Sequence, residues 1–257
     1  MADKLPVSAF IIALNEADRI GPVIRAVREW VDEVVVIDSG STDGTQALAA
    51  SLGARVIHHD WPGYGQQKRF GEMECRHDWL LNIDADEEAV PELEAEVRAL
   101  FATGTPPLQA YRIQTVMTLD GQARPHRFAP RHNYIRLYDR RHGRFADSET
   151  HDAVIMQSGA VGQIRSIIIH RSIRSHADLI GKLNRYSSAQ AAEIIAKGKA
   201  RRFSALRLMA EFPVNLLRYF FLKGYWVFGL QGLEIAAIIA FFRFARIAKV
   251  REYLRKA

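Results

Sequence analysis

The sequence predicts an α/β protein: a mixed, mostly parallel sheet covered by helices, with amphipathic helices at the C-terminal end. Two observations carry this. Within residues 1–100, four apolar stretches rich in Val, Ile and Leu alternate with stretches whose apolar residues recur at helical spacing. Strands that are apolar throughout belong to parallel sheets covered on both faces. Further on, "YRIQTVMTL" and "YIRLYDR" do alternate, the pattern of antiparallel strands added to such a sheet through a Pro-containing loop.

Taken in order, "VSAFIIALNE" is the first strand, and "ADRIGPVIRAVREW" sets Ile20, Ile24 and Val27 on one helical face. "VDEVVVIDSG" is the second strand. "STDGTQALAASLG" reads as a helix capped by Thr42 or Asp43 and closed by Gly53. "ARVIHHD" is the third strand, "GYGQQKRFGEMECRH" a helix opened by glycine, and "DWLLNIDAD" the fourth strand. "PELEAEVRALF" is a helix with Pro91 near its start and Leu93, Val97 and Leu100 on one side. Later, "IRSIIIH" is a strand ending at His170. The expected division is a sheet domain over residues 1–200, in halves 1–100 and 101–200, and a helical tail over 201–257.

At 257 residues and 48% hydrophobic content the chain can bury a sizeable core, which excludes a disordered protein. Its single cysteine, Cys75, allows no internal disulfide and fits a reducing compartment. Val7 to Leu14 is too short for a membrane span and lacks a small-residue cleavage site. Charge is divided along the chain: residues 1–170 hold 18 Lys and Arg against 24 Asp and Glu, whereas residues 171–257 hold 17 against 5.

Three polar clusters fall at carboxyl ends of the expected strands, where ligands of parallel sheets sit. They are Asn15-Glu16, the run from Asp38 to Thr45, and Asp84-Ala85-Asp86. Singly, each has an ordinary reading: Asn15 or Asp43 as a helix cap, the glycines as turn residues, the acidic run as a solvated helix N-terminus. Together they describe one crevice. Asp84, Asp86, Glu87 and Glu88 repel one another unless positive charge sits among them, and a divalent cation bridging Asp86 to a diphosphate would supply it. Neither G-x-G-x-x-G after the first strand nor G-x-x-x-x-G-K-[ST] is present, so phosphate must be held in another way.

The stretches "IIALNEADRI", "VVVIDSGSTDGT" and "WLLNIDADEE" resemble family 2 glycosyltransferases of the GT-A fold, the nucleotide-diphospho-sugar transferase fold. "WPGYGQQKRFG", "THDAV" and "IIIHRSIRSHADLIGKLNRYS" are similar to one subgroup, the lipopolysaccharide core heptose β-1,4-glucosyltransferases. The resemblance implies an inverting hexosyltransferase with a UDP-sugar donor, UDP-glucose foremost, bound by the first half of the sheet domain, and a lipopolysaccharide core or other lipid-linked glycan acceptor on the second. Asn15 and Glu16 would border the nucleotide, Asp38 would bond the uracil or ribose, and Asp43 would support that loop. Asp84 would face the donor ribose or sugar, and Lys68 a phosphate or sugar hydroxyl, although a lysine on an exposed helix is ordinarily just solvated. Asp86 would ligate Mn²⁺ or Mg²⁺. His151 and His170 are further metal candidates, each with an ordinary reading as a hydrogen-bonded histidine.

Inversion needs a carboxylate base. "RFADSETHDAVIM" offers Asp152 first and Glu149 second, where relatives commonly show His followed by an acid. Arg124, Arg127 and Arg131 could form a wall for a phosphorylated acceptor, or line a solvated loop. The tail interleaves apolar runs with Arg207, Arg218, Lys223, Arg243, Arg246 and Lys249, too aliphatic for a nucleic-acid binder. It reads as helices lying on an anionic inner-leaflet surface, which places the enzyme in the cytoplasm, peripherally attached to the inner membrane; packing under the sheet domain or in a homodimer is the alternative. Two other functions stay open: a non-catalytic nucleotide-sugar-binding or scaffold protein, and a transferase acting on polyprenyl phosphate.

Overall fold

The computed structural model describes residues 3–119, 122, 124–148, 153–198 and 204–256. It comprises two compact units, Met1–Val116 with Arg131–His170, and Met117–Pro130 with Arg171–Ala257.

The first unit holds β1 (Leu5–Ala13), α1 (Ile20–Val27), β2 (Val31–Asp38), α2 (Thr45–Ser51), β3 (Arg55–His58), α3 (Tyr64–Glu74), β4 (Trp79–Asn82), β5 (Glu87–Ala89), α4 (Pro91–Phe101), β6 (Ala110–Met117), β7 (Arg131–Asp139), β8 (Gly143–Phe145), β9 (Val154–Met156) and β10 (Val161–His170). One mixed sheet runs in the order β3-β2-β1-β4-β7-β6-β10-β5, and β8 pairs with β9 separately. β1 lies parallel to both neighbours, with Ala13 opposite Asp38 and Ala9 opposite Leu81. β7 runs antiparallel to β4 and β6. This is the expected mixed α/β fold, its parallel strands gathered on one side.

β1 shows how the sequence builds the two layers. Val7, Ala9 and Ile11 join the apolar face of α1 (Ile20, Val23, Ile24, Val27) and Leu93 and Val97 of α4. Phe10, one residue out of phase, points to the other face with Val35, Ile37, Leu80 and Tyr138. α3 covers that second face in an unusual way, because its buried residues are Gly65, Gln67, Lys68, Gly71 and Glu72. Gly71 lets it come close: a Cβ there would stand 2.8 Å from the Phe10 ring.

Two local expectations are corrected. Neither Thr42 nor Asp43 caps α2; its N-cap is Gly44 in the left-handed region, at φ +92°, with no side-chain cap. The fourth strand ends at Asn82, and Glu87–Ala89 form β5, antiparallel to the end of β10 with Glu87 opposite His170. Glu87 and Glu88 are therefore sheet residues, and Asp84 and Asp86 sit in the turn between β4 and β5 rather than at a solvated helix terminus.

The second unit is helical: α5 (His176–Ala196), α6 (Ala205–Leu217), a π-helical turn (Arg218–Leu222), a 3-10 turn (Tyr225–Phe228) and α7 (Gly229–Lys256). α7 packs against both α5 and α6. For that reason the compact division falls at 170/171 rather than at the expected 200/201. The 117–130 segment joins this unit through His126 and Phe128, whose ring centroids lie 6.1 and 5.9 Å from that of Trp226. Gly224, at φ +84°, permits the approach, since a Cβ there would stand 2.1 Å from the Phe128 carbonyl oxygen. Tyr225–Lys256 is long and apolar enough to cross a membrane by length and composition.

Candidate active site

The loops after β1 and β2 are stitched together by the residues the sequence singled out. Asn15 adopts a left-handed backbone, φ +57°, which asparagine tolerates better than most residues. Its N–H donates to Ser41 Oγ (2.8 Å), and its Oδ1 accepts from the Thr42 N–H (2.9 Å). The N–H groups of Glu16 and Ala17 donate to Thr45 Oγ1 (2.8 Å) and Asp43 Oδ2 (3.0 Å). Asp38, fully buried, accepts from the N–H groups of Gly40 and Ser41, the Ser41 hydroxyl and the Gln46 amide. Burial alone would raise the Asp43 carboxyl; hydrogen bonds from Thr45 and Ala17 outweigh it and hold it below the usual range.

The third cluster is held by cations instead. Asp84 Oδ1 lies 2.8 Å from Lys68 Nζ, and its Oδ2 lies 3.2 Å from an Arg136 terminal nitrogen. That nitrogen also meets Glu87 Oε1 at 2.5 Å, while the other terminal nitrogen donates to Asn82 Oδ1 at 2.8 Å. Glu87 Oε2 accepts from the Asp84 N–H (3.0 Å), closing the ring. Asp86 faces Arg19 at 3.7 Å and His170 Nε2 at 3.4 Å, and Arg19 reaches back to Glu16 at 2.6 Å. Thus the loops after β1, β2 and β4 are joined to one another, the first two by hydrogen bonds and the third through Arg19, where the strand order turns from β1 to β2 on one side and β4 on the other. The crowded carboxylates are met by cationic side chains from four other segments, a source of positive charge besides the divalent cation expected from the sequence.

Burial would raise the Asp84 carboxyl, but Lys68 and then Arg136 outweigh it and hold it well below the usual carboxylate range. Glu87, with only a share of Arg136, is pushed up by burial. Burial opposes charge on both Asp86 and His170, yet their mutual hydrogen bond lowers the first and raises the second.

Asp84, Glu87, Arg136 and His170 open onto a cavity of about 330 Å³, walled by Arg112, Thr115, His132 and Tyr134 of β6 and β7 and by Val154 of β9. Of the arginines expected on the acceptor side, Arg131 starts β7, whereas Arg127 lies in the helical unit with its guanidinium 4.5 Å from the Phe128 ring centroid. The cations that line the cavity are Arg112 and Arg136.

The structure therefore brings together Asp84, Asp86, His170 and Lys68, with Asn15, Glu16, Asp38 and Asp43 in the adjoining loops. Lys68 is corrected in one respect: it is 1% exposed, not on a solvated helix face, because α3 turns its polar side inward. Glu149, His151 and Asp152 lie outside the described residues. Sequence reasoning missed Arg136, Glu87 and Arg19. A signal existed for Arg136, a charged residue between Ile135 and Leu137 in a strand.

Among the described residues no three His, Cys, Asp or Glu side chains converge to hold a metal ion. Asp86 and His170 do present an oxygen and a nitrogen 3.4 Å apart. The Asp86 carboxylate suits Mn²⁺ or Mg²⁺ of the kind held by one or two carboxylates and completed by substrate phosphates, and His170 could add its nitrogen only after giving up the proton it shares with Asp86.

The family model for glycosyl transferase family 2 matches residues 8–168. This chain is a family 2 glycosyltransferase. An uncharacterized glycosyltransferase of Rickettsia felis is 41% identical over 98% of this chain and 91% of its own length. The lipopolysaccharide core biosynthesis glycosyltransferase LpsC of Rhizobium meliloti is 35% identical over 97% and 93%. Among solved structures, glucosyl-3-phosphoglycerate synthase from Mycobacterium tuberculosis, with Mn²⁺ and UDP bound, aligns over 45% of this glycosyltransferase and 44% of its own chain, at 28% identity and a TM-score of 0.35.

Proposed function

We propose that this glycosyltransferase moves a hexose, glucose foremost, from a UDP-sugar to a lipopolysaccharide core acceptor with inversion, on the cytoplasmic face of the inner membrane. The observation that carries the reading is the crevice in which Asp84, ion-paired with Lys68 and Arg136, stands beside the Asp86–His170 pair. Likeness to LpsC over nearly the whole of both chains supports the acceptor class.

In this reading Asn15, Glu16, Asp38 and Asp43 shape the loop that receives the nucleoside. Asp84, locked by Lys68 and Arg136, accepts hydrogen bonds from donor hydroxyls without competing for a proton. Asp86 and His170, with His151, would hold Mn²⁺ or Mg²⁺, which when bound offsets the charge on the leaving diphosphate. Transfer is one in-line displacement: the acceptor oxygen bonds to the anomeric carbon as the bond to the diphosphate oxygen breaks. Asp152, or Glu149 in second place, takes the proton of the acceptor hydroxyl.

Asp152→Asn should retain UDP-sugar binding and lose about 10² to 10⁴ in rate, and Glu149→Gln should lose less; the reverse ranking, read by UDP release, makes Glu149 the base. Mass analysis of lipopolysaccharide and lipid-linked sugars from cells lacking the gene tests the whole reading. A core short of one hexose supports it. An intact core with a missing polyprenyl-linked sugar moves the acceptor to polyprenyl phosphate, and no change in either leaves a non-catalytic role.

A further inference from the structure

We infer that the helical unit docks on an anionic bilayer through the outer face of α6 and the turn that follows it, with α7 staying inside the protein rather than crossing the membrane. The inference rests on the peripheral location proposed above and deepens it.

Tyr225–Lys256, which contains α7, is long and apolar enough for a span, but one face of α7 is already committed, although Leu230 and Phe241 of the helix remain exposed. Gly232, Ile235, Ala236, Ala240, Phe242, Ile247 and Val250 are buried along its whole length, and it packs on α5 and α6. Arg243 and Arg246 face Glu211 of α6 at 3.8 and 3.5 Å, and Lys249 donates to Ser187 and Ser188 of α5, both at 2.8 Å. Crossing a bilayer would strip these partners away and leave the cations in hydrocarbon.

α6 shows the opposite pattern. Leu206, Met209, Val214 and Leu217 recur at helical spacing on one side and are exposed, the first two at 75% and 72%. Phe221, Leu222 (83% exposed) and Trp226 continue the surface through the turn. Apolar surface this continuous marks an interaction site. Its occupant follows from charge. Arg207, Arg218 and Lys223 are exposed along the same segment, and its one acid, Glu211, is shared between Arg207 of the same helix, at 3.9 Å, and Arg243 and Arg246 of α7. A surface with apolar residues between cations and an aromatic at its edge matches the headgroup level of an anionic leaflet.

Co-sedimentation with phosphatidylglycerol–phosphatidylcholine vesicles tests this on the full chain, with circular dichroism confirming the fold. The intact protein should bind, 0.5 M NaCl should release it only in part, and Trp226 fluorescence should shift to the blue. Leu206→Glu with Leu217→Glu should weaken binding at least tenfold, and Arg218→Glu with Lys223→Glu should weaken it on anionic but not on pure phosphatidylcholine vesicles. Absence of binding, binding undiminished in both variants, or bound protein that resists alkaline carbonate extraction would overturn the proposal. So would micromolar self-association that the leucine substitutions abolish without any vesicle binding, since the face would then belong to a second copy. Loss of transfer with vesicle binding intact would instead count against the proposed function alone.

Discussion

Two groups of carboxylates stand at the ends of β2 and β4, the strands that flank β1, and they are held in different ways. Asp38 and Asp43, after β2, receive hydrogen bonds almost entirely from nearby N–H groups, hydroxyls and an amide. Asp84, Asp86 and Glu87, around the end of β4, are met by Lys68, Arg136, Arg19 and His170, which come from α3, β7, the loop before α1 and β10. Neutral donors fix a shape; cations gathered from distant segments fix a charge. In the proposed function the first group moulds a loop around a nucleoside, and the second meets the metal-bound diphosphate and the sugar.

The difference predicts unequal costs. Arg136→Met should destabilise the protein by about 3–5 kcal/mol, because it leaves Asp84 with Lys68 alone and removes the cation that touches Glu87 in a buried setting; urea unfolding measures this. An Arg136→Met cost below that of Asp43→Ala would break the comparison.

Acid should act next. A carboxyl whose native pKa is depressed contributes stability above its unfolded value, and that contribution is lost as pH falls through the range below it. Asp84 and Asp86 are both depressed from an ordinary 3.8, so stability should drop below about pH 4. Glu72 and Glu87 have the opposite sign, raised by burial, and oppose stability as pH climbs above 4.5. Asp84→Asn should therefore flatten the acid side of the stability profile, and an unchanged slope would remove the assignment of Asp84 as a locked anion.

The smallest effect should come from Asp43→Ala, an exposed position, at about 1 kcal/mol in stability with a larger loss in UDP affinity. A loss in stability alone would make the loop mere scaffolding.

Much of this arrangement was legible in the sequence. Continuous apolar strands alternating with helices gave the parallel strands, and the ends of those strands gave the three polar clusters. What escaped was long-range. Nothing within "YIRLYDR" says that Arg136 reaches Asp84, 52 residues earlier, and Glu87, because that pairing depends on β7 lying beside β4. The burial of Lys68, though not its place near the site, escaped for a related reason: α3 buries Gln67, Lys68 and Glu72, so its polar residues misreport which face is inward. The boundary of the tail was misplaced because α5 makes its main packing with α7, a partner more than 30 residues beyond its own end.

The measurement that bears most directly on the cation-held cluster is calorimetric titration of UDP into wild-type protein and Asp86→Ala, each with Mn²⁺ and with chelator. Wild type should bind UDP tightly only when Mn²⁺ is present, and Asp86→Ala should bind weakly and equally under both conditions while remaining folded by circular dichroism. If Mn²⁺ strengthens UDP binding to Asp86→Ala as much as to wild type, Asp86 holds no metal and the account of this crevice is wrong.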